Sequence, residues 1–225
     1  MVEYTVIRSS RKTIAIHITK DAAVEVRAPL RASQAAVDGF VASKQDWICK
    51  HLSARAQRVE QRAAFVLRYG DAVPLRGELY PIEAKDGGRI GFDGVRFFLP
   101  PGLPPEEIKR AVVRLYRRIA KQVLAAKAAG YAERMGSMPA AVKINGAKAR
   151  WGSCSNKKSI NFSWRLVMAD DATIDYVVVH ELAHMQELNH SDRFWAIVAS
   201  VLPDHKRRRA KLKELQKRLE AEDWE

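Results

Sequence analysis

The sequence predicts an α+β fold, with a β-rich N-terminal part over residues 1–100 that carries one helix and a helix-rich part over residues 101–225 built around a single ligand-bearing helix. Three observations lead there. Apolar and polar residues alternate with a period of two over much of the first hundred positions. After Ser33, and again after Pro105, the apolar residues recur at helical spacing. The run Pro100-Pro101-Gly102-Leu103-Pro104-Pro105 is the strongest break in the chain and sets the expected domain boundary.

Residues 4–7, 13–18 and 23–27 read as three strands of an antiparallel meander ending at Pro29. Ser33 is a cap candidate for a helix that passes through Val37, Phe40, Val41, Trp47, Ile48 and Leu52 to about Arg62. Short strands are expected over 65–69, 73–75, 79–83, 89–92 and 95–99, with Asp93-Gly94 marking a hairpin. Glu106 and Glu107 occupy the favourable first turn of a helix that follows Ile108, Val112, Leu115, Ile119 and Val123 to about Gly136. Two strands, 142–144 and 159–162, flank an expected loop over 145–158. Helices are then expected from about Ala172, over 191–201, and after Pro203 to the C-terminus. The sequence shows no internal repeat and no low-complexity segment.

A 47% hydrophobic content in 225 residues is enough to bury a core without staples, which sets disorder aside. The start MVEYTVIRSSRK has no apolar leader region, and no stretch approaches the roughly 18 uncharged apolar residues that span a bilayer. A soluble, non-exported protein with no membrane partner is therefore expected. Cys49 and Cys154 are the two cysteines, which fits a reducing cytoplasm and leaves any zinc to histidine and carboxylate ligands. Lysine and arginine outnumber the acids 39 to 26, giving +13. The surplus is spread over 8–12, 109–127, 143–158 and 206–218, so a solvated basic surface is favoured over recruitment of nucleic acid or another anion.

The chemistry gathers at His180-Glu181-Leu182-Ala183-His184. Positions i and i+4 lie on one helical face, so His180 and His184 can reach one ion, Zn2+ at one per chain. Catalytic zinc takes a third protein ligand and keeps one position open, and His190 supplies the third. For His190 to return, residues 185–189 must end the helix, a turn for which Asn189 is suited by its tolerance of the left-handed conformation. Ser191 then caps the next helix, whose Phe194-Trp195 pair anchors the turn. Glu181 projects about 100° round the helix from His180, beside the ion, where it serves as general base toward water. Val177-Val178-Val179 immediately before makes the helix apolar, and two ionisable groups there require a partner. The constellation points to metal-assisted hydrolysis.

Residues 147–203, with Arg150-Trp151-Gly152-Ser153-Cys154, the Asp175–His184 stretch and Asn189-His190-Ser191-Asp192-Arg193-Phe194-Trp195, resemble the YgjP-like metallopeptidase family, itself distantly similar to SprT/Spartan-type proteases. Arg11-Lys12-Thr13-Ile14 and Trp47-Ile48 extend the likeness to nearly the whole chain. The resemblance implies a minimal zincin-like catalytic domain, a polypeptide substrate and the same metal and base residues. Metzincins share the histidine spacing but want Gly where this chain has Glu187, and a Met-turn where no Met follows Met185.

Other features are read alongside. Arg150, Trp151, Gly152 and Ser153 are candidates for substrate binding at an exposed strand edge, against a tight turn with Trp151 in the core. Glu187 is a candidate to hydrogen-bond a ligand histidine, against a solvated face. Cys154 is not expected to bind the metal, and His17, His51 and His205 are expected to be structural. Two rivals to a peptidase stand: a zinc-dependent nucleotide phosphohydrolase or pyrophosphatase, and a nucleic-acid-associated protein with a structural metal. Lys143, Lys148, Arg150, Lys157 and Lys158 precede the metal helix and would steer an anion if they share a face.

Overall fold

The computed structural model describes residues 2–19 and 22–224. It divides into two compact units, residues 1–65 with 220–222 and residues 66–219 with 223–225. The architecture is mixed, with helices and small sheets in both units, as an α+β chain should be.

In the first unit β1 (Thr5–Ser9), β2 (Ala15–Ile18) and β3 (Val24–Pro29) form a sheet of order β1-β3-β2. The expected meander is not formed. β3 pairs antiparallel with β2 but parallel with β1, Thr5 opposite Glu25. The reason lies in burial: β3 alone alternates fully buried positions, Val24, Val26 and Ala28, and so takes the centre. Helix α1 (Gln34–Ser43) starts where Ser33 accepts the N–H of Ala36. The single helix expected to Arg62 is broken at Lys44, where the Ser43 hydroxyl donates to the Phe40 carbonyl and a second helix, α2 (Gln45–Ala64), begins. Val37, Val41 and Ile48 close the core over β3.

The second unit opens with β4 (Ala72–Leu75), β5 (Glu78–Ala84), β6 (Gly91–Phe92) and β7 (Phe97–Leu99), in the order β4-β5-β7-β6. The expected strand over 65–69 is absent; the end of this segment is held instead by a turn in which Arg68 N–H donates to the Asp71 carboxylate at 2.7 Å. The Asp93-Gly94 hairpin forms, with the Asp93 carboxylate accepting from Val95 and Arg96 N–H. α3 (Pro105–Met135) comes next, with Pro at its first position, and ends at Gly136. The boundary expected at 100/101 falls inside this unit. Residues 66–100 cannot separate from the helical part of the unit, because Tyr116 of α3 donates to Pro74 O at 2.6 Å, Arg76 N–H donates to Val167 O at 2.7 Å, and Phe97 packs on the Tyr116 ring.

β8 (Ala141–Asn145), β9 (Gly152–Cys154) and β10 (Ser159–Ser163) make a third sheet of order β8-β10-β9. The expected loop over 145–158 thus contains a strand, β9, antiparallel to β10. After a 3-10 turn, Trp164–Met168, come α4 (Asp171–Ala183), α5 (Asp192–Val201) and α6 (His205–Leu219). Tyr116 stacks on Trp164 at 5.6 Å and anchors the core of this unit. Among the described residues no helix is long and apolar enough to cross a membrane.

The start of α4 fixes where its histidines fall. Asp170 caps it by accepting the Thr173 N–H at 2.7 Å, and its other oxygen pairs with Lys211 at 2.9 Å. Partial burial acts to raise the Asp170 pKa, but Lys211 and the Thr173 N–H outweigh it and hold the carboxyl below its usual range. A lowered carboxylate pKa contributes stability that is present above the ordinary value and lost as pH falls through the folded one. Asp170→Ala should therefore cost about 1 kcal/mol at neutral pH in urea denaturation, with the difference from wild type shrinking below about pH 4. A difference that persists undiminished at pH 3 (about one unit below the ordinary carboxylate value) would show that the cap does not act through its charge.

Candidate metal centre

α4 is largely apolar, with Ile174, Val177, Val178, Val179 and Leu182 all buried, so most of the helix sits inside the unit. His180 and His184 lie one turn apart on it, both half-buried. The helix ends at Ala183 without a left-handed residue. His184 is still right-handed (φ −63°, ψ −16°), and the chain tightens through Met185 N–H to Leu182 O and Gln186 and Glu187 N–H to Ala183 O. Asn189 is therefore not the left-handed turn residue expected; the described residues other than glycine with positive φ are Ala22, Arg76 and Lys158. The Gln186 amide anchors the turn by donating to Ser137 Oγ at 2.8 Å. Ser191 caps α5 by accepting the Phe194 N–H, as expected.

This turn brings His190 back. One ring nitrogen from each of His180, His184 and His190 lies within 4.8 Å of the others, and His190 Nε2 is 3.1 Å from His180 Nε2. With zinc–nitrogen distances of about 2.0–2.1 Å, two ligands of a tetrahedral ion stand about 3.3 Å apart, so the trio fits such a cation. His184 Nδ1 lies 3.2 Å from the Glu187 carbonyl, and a proton there leaves Nε2 free as a ligand atom. His180 Nδ1 is buried without a partner among the described residues. Burial, then the neighbouring His184 and His190 and Arg209, push His180 down to about 3; burial likewise lowers His184. Burial thus favours the neutral form of both, the state in which imidazole ligates. His190 is exposed, so this side of the trio faces solvent.

Glu181 is 5% exposed. Burial pushes its pKa up to about 7, with the Arg150 charge acting against the rise. Its side chain lies under β9, and a Cβ on Gly152 would stand 2.5 Å from Glu181 Oε1 and 2.6 Å from Cγ, so glycine alone allows the strand to approach. Of the residues proposed at the strand edge, Gly152 and Ser153 lie in β9, Trp151 is half-buried just before it, and Arg150 is exposed. β9 has β10 on one side only. Cys154 sits at the end of the same strand outside the histidine trio, its thiol raised by burial and by Glu181.

Two aromatic side chains support the trio, one of them backed by an arginine. Phe194, fully buried, lies 4.5–4.9 Å from all three imidazole centroids. Trp195 stacks on His190 at 5.7 Å and on buried His205 at 5.7 Å. Arg209 covers the Trp195 ring at 5.4 Å. The sequence pointed to Phe194 and Trp195, but not to Tyr176, whose ring lies 5.8 Å from that of His180, or to Arg209. Tyr176 has a signal in its i−4 position to His180; Arg209, in a basic run of α6, has none. Glu187 acts on His184 through its carbonyl, while its carboxylate lies 3.8 Å from Arg193. His17 lies exposed on β2 and His51 packs on Trp47, and neither belongs to the trio. Of the basic residues before α4, Lys143 lies in β8, Lys148 and Arg150 between β8 and β9, and Lys157 and Lys158 in the β9–β10 turn.

The Gly152 contact is the most exposed to test. Gly152→Ala should displace the Glu181 carboxylate while leaving the three imidazoles in place. Metal content should stay at wild-type level, and any hydrolytic turnover should fall by about 100-fold or more. Full activity in this variant would mean that Glu181 can move without consequence.

The family described as YgjP-like, metallopeptidase domain, matches residues 12–215. No curated protein matches the chain. Among solved structures, the metallopeptidase zymogen of Pyrococcus abyssi abylysin is similar over 44% of this chain and 97% of its own, at 20% identity and a TM-score of 0.38. The match over most of the chain shows that it belongs to the YgjP-like metallopeptidase family, and so to the metal-dependent hydrolases.

Proposed function

We propose that the chain is a zinc peptidase of the zincin type, in which His180, His184 and His190 hold one ion and Glu181 is the general base. The observation that carries this reading is a buried carboxylate on the same helix as two of three converging imidazoles, with a glycine strand closing over it. The three-nitrogen donor set, two of whose members burial holds toward the neutral form and one of which faces solvent, suits zinc with one position open to water and substrate. When bound, zinc would supply Lewis acidity and make a water acidic enough to lose a proton near neutral pH.

The residues of the chain then divide the remaining work. Glu181, held near neutral affinity for a proton, accepts it at a carboxylate oxygen and returns it to the leaving nitrogen. Arg150 keeps part of the Glu181 population ionised. A polypeptide laid along the free edge of β9 would pair with Gly152 and Ser153 by backbone hydrogen bonds, with Arg150 and Trp151 beside it. Phe194 and Trp195 hold the imidazole planes, so that little reorganisation accompanies the reaction.

Protein purified without added metal should contain about one zinc per chain by plasma mass spectrometry. Glu181→Gln should keep that zinc and lose cleavage of unfolded polypeptides by about 10²- to 10⁴-fold. A chain that stays metal-free after zinc soaking would contradict the reading. Glu181-dependent release of phosphate or pyrophosphate from nucleoside triphosphates, with no peptide cleavage, would replace it with a phosphohydrolase.

A further inference from the structure

The second unit holds a cleft of about 700 Å³ that shares no lining residue with the histidine trio or with Glu181. This volume is in the range of small-molecule sites. Arg110, Arg114 and Arg117 from one stretch of α3 line it, together with Gly146, Trp164 and Trp224. Among the described residues Arg114 and Arg117 have no carboxylate partner. Glu107 also lines the cleft but is drawn toward Arg110 at 3.9 Å, so the cleft keeps a positive balance.

A second, independent observation concerns Trp164. It is 1% exposed, and its indole Nε1 is buried without an acceptor among the described residues. An unsatisfied buried donor is rare and calls for a partner. The indole is held in place by Tyr116, stacked on it at 5.6 Å, and by the Arg165 guanidinium at 4.5 Å from its ring. The point where a Cβ would stand on Gly146 lies 2.9 Å from Arg117 Nη2 and 3.8 Å from Trp164 Nε1. With no Cβ on Gly146, the Arg117 guanidinium lies close against the backbone there, beside the Trp164 indole. Arg165 fixes this place by donating to the Gly146 carbonyl at 2.8 Å. The rest of the lining includes Ile90, Leu103 and Val113, which offer apolar surface.

We propose that this cleft binds a small organic anion, a phosphate or carboxylate head on an apolar body, with the head held by Arg117, Arg114 and the Trp164 indole N–H. The body lies against Ile90, Leu103 and Val113. Converging guanidinium and indole donors recognise anionic oxygens, and a cleft that is otherwise apolar rejects a bare hydrated ion. The site is separate from the proposed peptidase chemistry and stands or falls without it.

Calorimetric titration of the full, metal-loaded chain with phenyl phosphate, benzoate, inorganic phosphate and phenol tests this. One equivalent of phenyl phosphate or benzoate should bind saturably, the tighter of the two identifying the head. Inorganic phosphate and phenol, each lacking one half of the ligand, should bind about tenfold more weakly or worse. Arg114→Gln with Arg117→Gln should weaken the organic anion by about tenfold or more, and Arg117→Lys should recover part of the loss. Gly146→Ala puts a methyl group 2.9 Å from Arg117 Nη2 and should push that mobile guanidinium from its place, so it should weaken binding similarly with an unchanged melting curve. Absence of saturable binding by either organic anion at about 10 mM would overturn the proposal. So would equal affinity in wild type, the double glutamine variant and Gly146→Ala, which would put the anion elsewhere, the metal included.

Discussion

Glu181 stands on a helix whose other buried positions are mostly valine, isoleucine and leucine, and its carboxylate is closed off by a strand that can approach only because residue 152 has no side chain. Much of the second unit is arranged round that contact. The 3-10 turn and the Asp170 cap set the starting point of α4, and with it the rotation that turns Glu181 toward β9 while His180 and His184 face the returning loop. β9 is carried by β10, which β8 pairs on its other side. A buried carboxylate without a close ion pair is costly, and here the cost appears as a carboxyl group whose pKa lies near 7, poised to exchange a proton.

The histidines are held by a different means. Instead of carboxylates orienting each ring, a fully buried phenylalanine touches all three and a tryptophan stacks on the most exposed one, backed by His205 and Arg209. His184 alone has a main-chain acceptor, from Glu187, three residues on in the same turn. Packing of this kind keeps the ring planes fixed without adding negative charge beside the imidazoles, and in the proposed peptidase it leaves the proton transfer to Glu181.

Legibility in the sequence depends on range along the chain. The helix of His180 and His184, the return of His190 and the Ser191 cap are all encoded within a dozen residues, and spacing alone exposed them. β9 was hidden because Gly152-Ser153-Cys154 has neither alternation nor β-branched residues; it is a strand because β10 offers an edge and Glu181 demands a glycine above it. The parallel pairing of β1 with β3 escaped for a similar reason, since pairing partners distant in sequence leave no local mark. The Pro100–Pro105 run is a real break between a strand and a helix, but it is not a boundary between units, because Tyr116 reaches back across it to Pro74. Asn189 tolerates a left-handed turn, yet the chain closed the helix with carbonyls already at hand.

A zinc peptidase of this kind requires three imidazoles sharing one ion, with no sulfur among its ligands. X-ray absorption at the zinc edge on the purified chain measures this directly. The expected spectrum has three imidazole nitrogens and one oxygen at about 2.0–2.1 Å, and it loses imidazole scattering in His190→Ala. A sulfur shell at about 2.3 Å, which would bring Cys154 onto the ion, or a spectrum unchanged by His190→Ala, would contradict it.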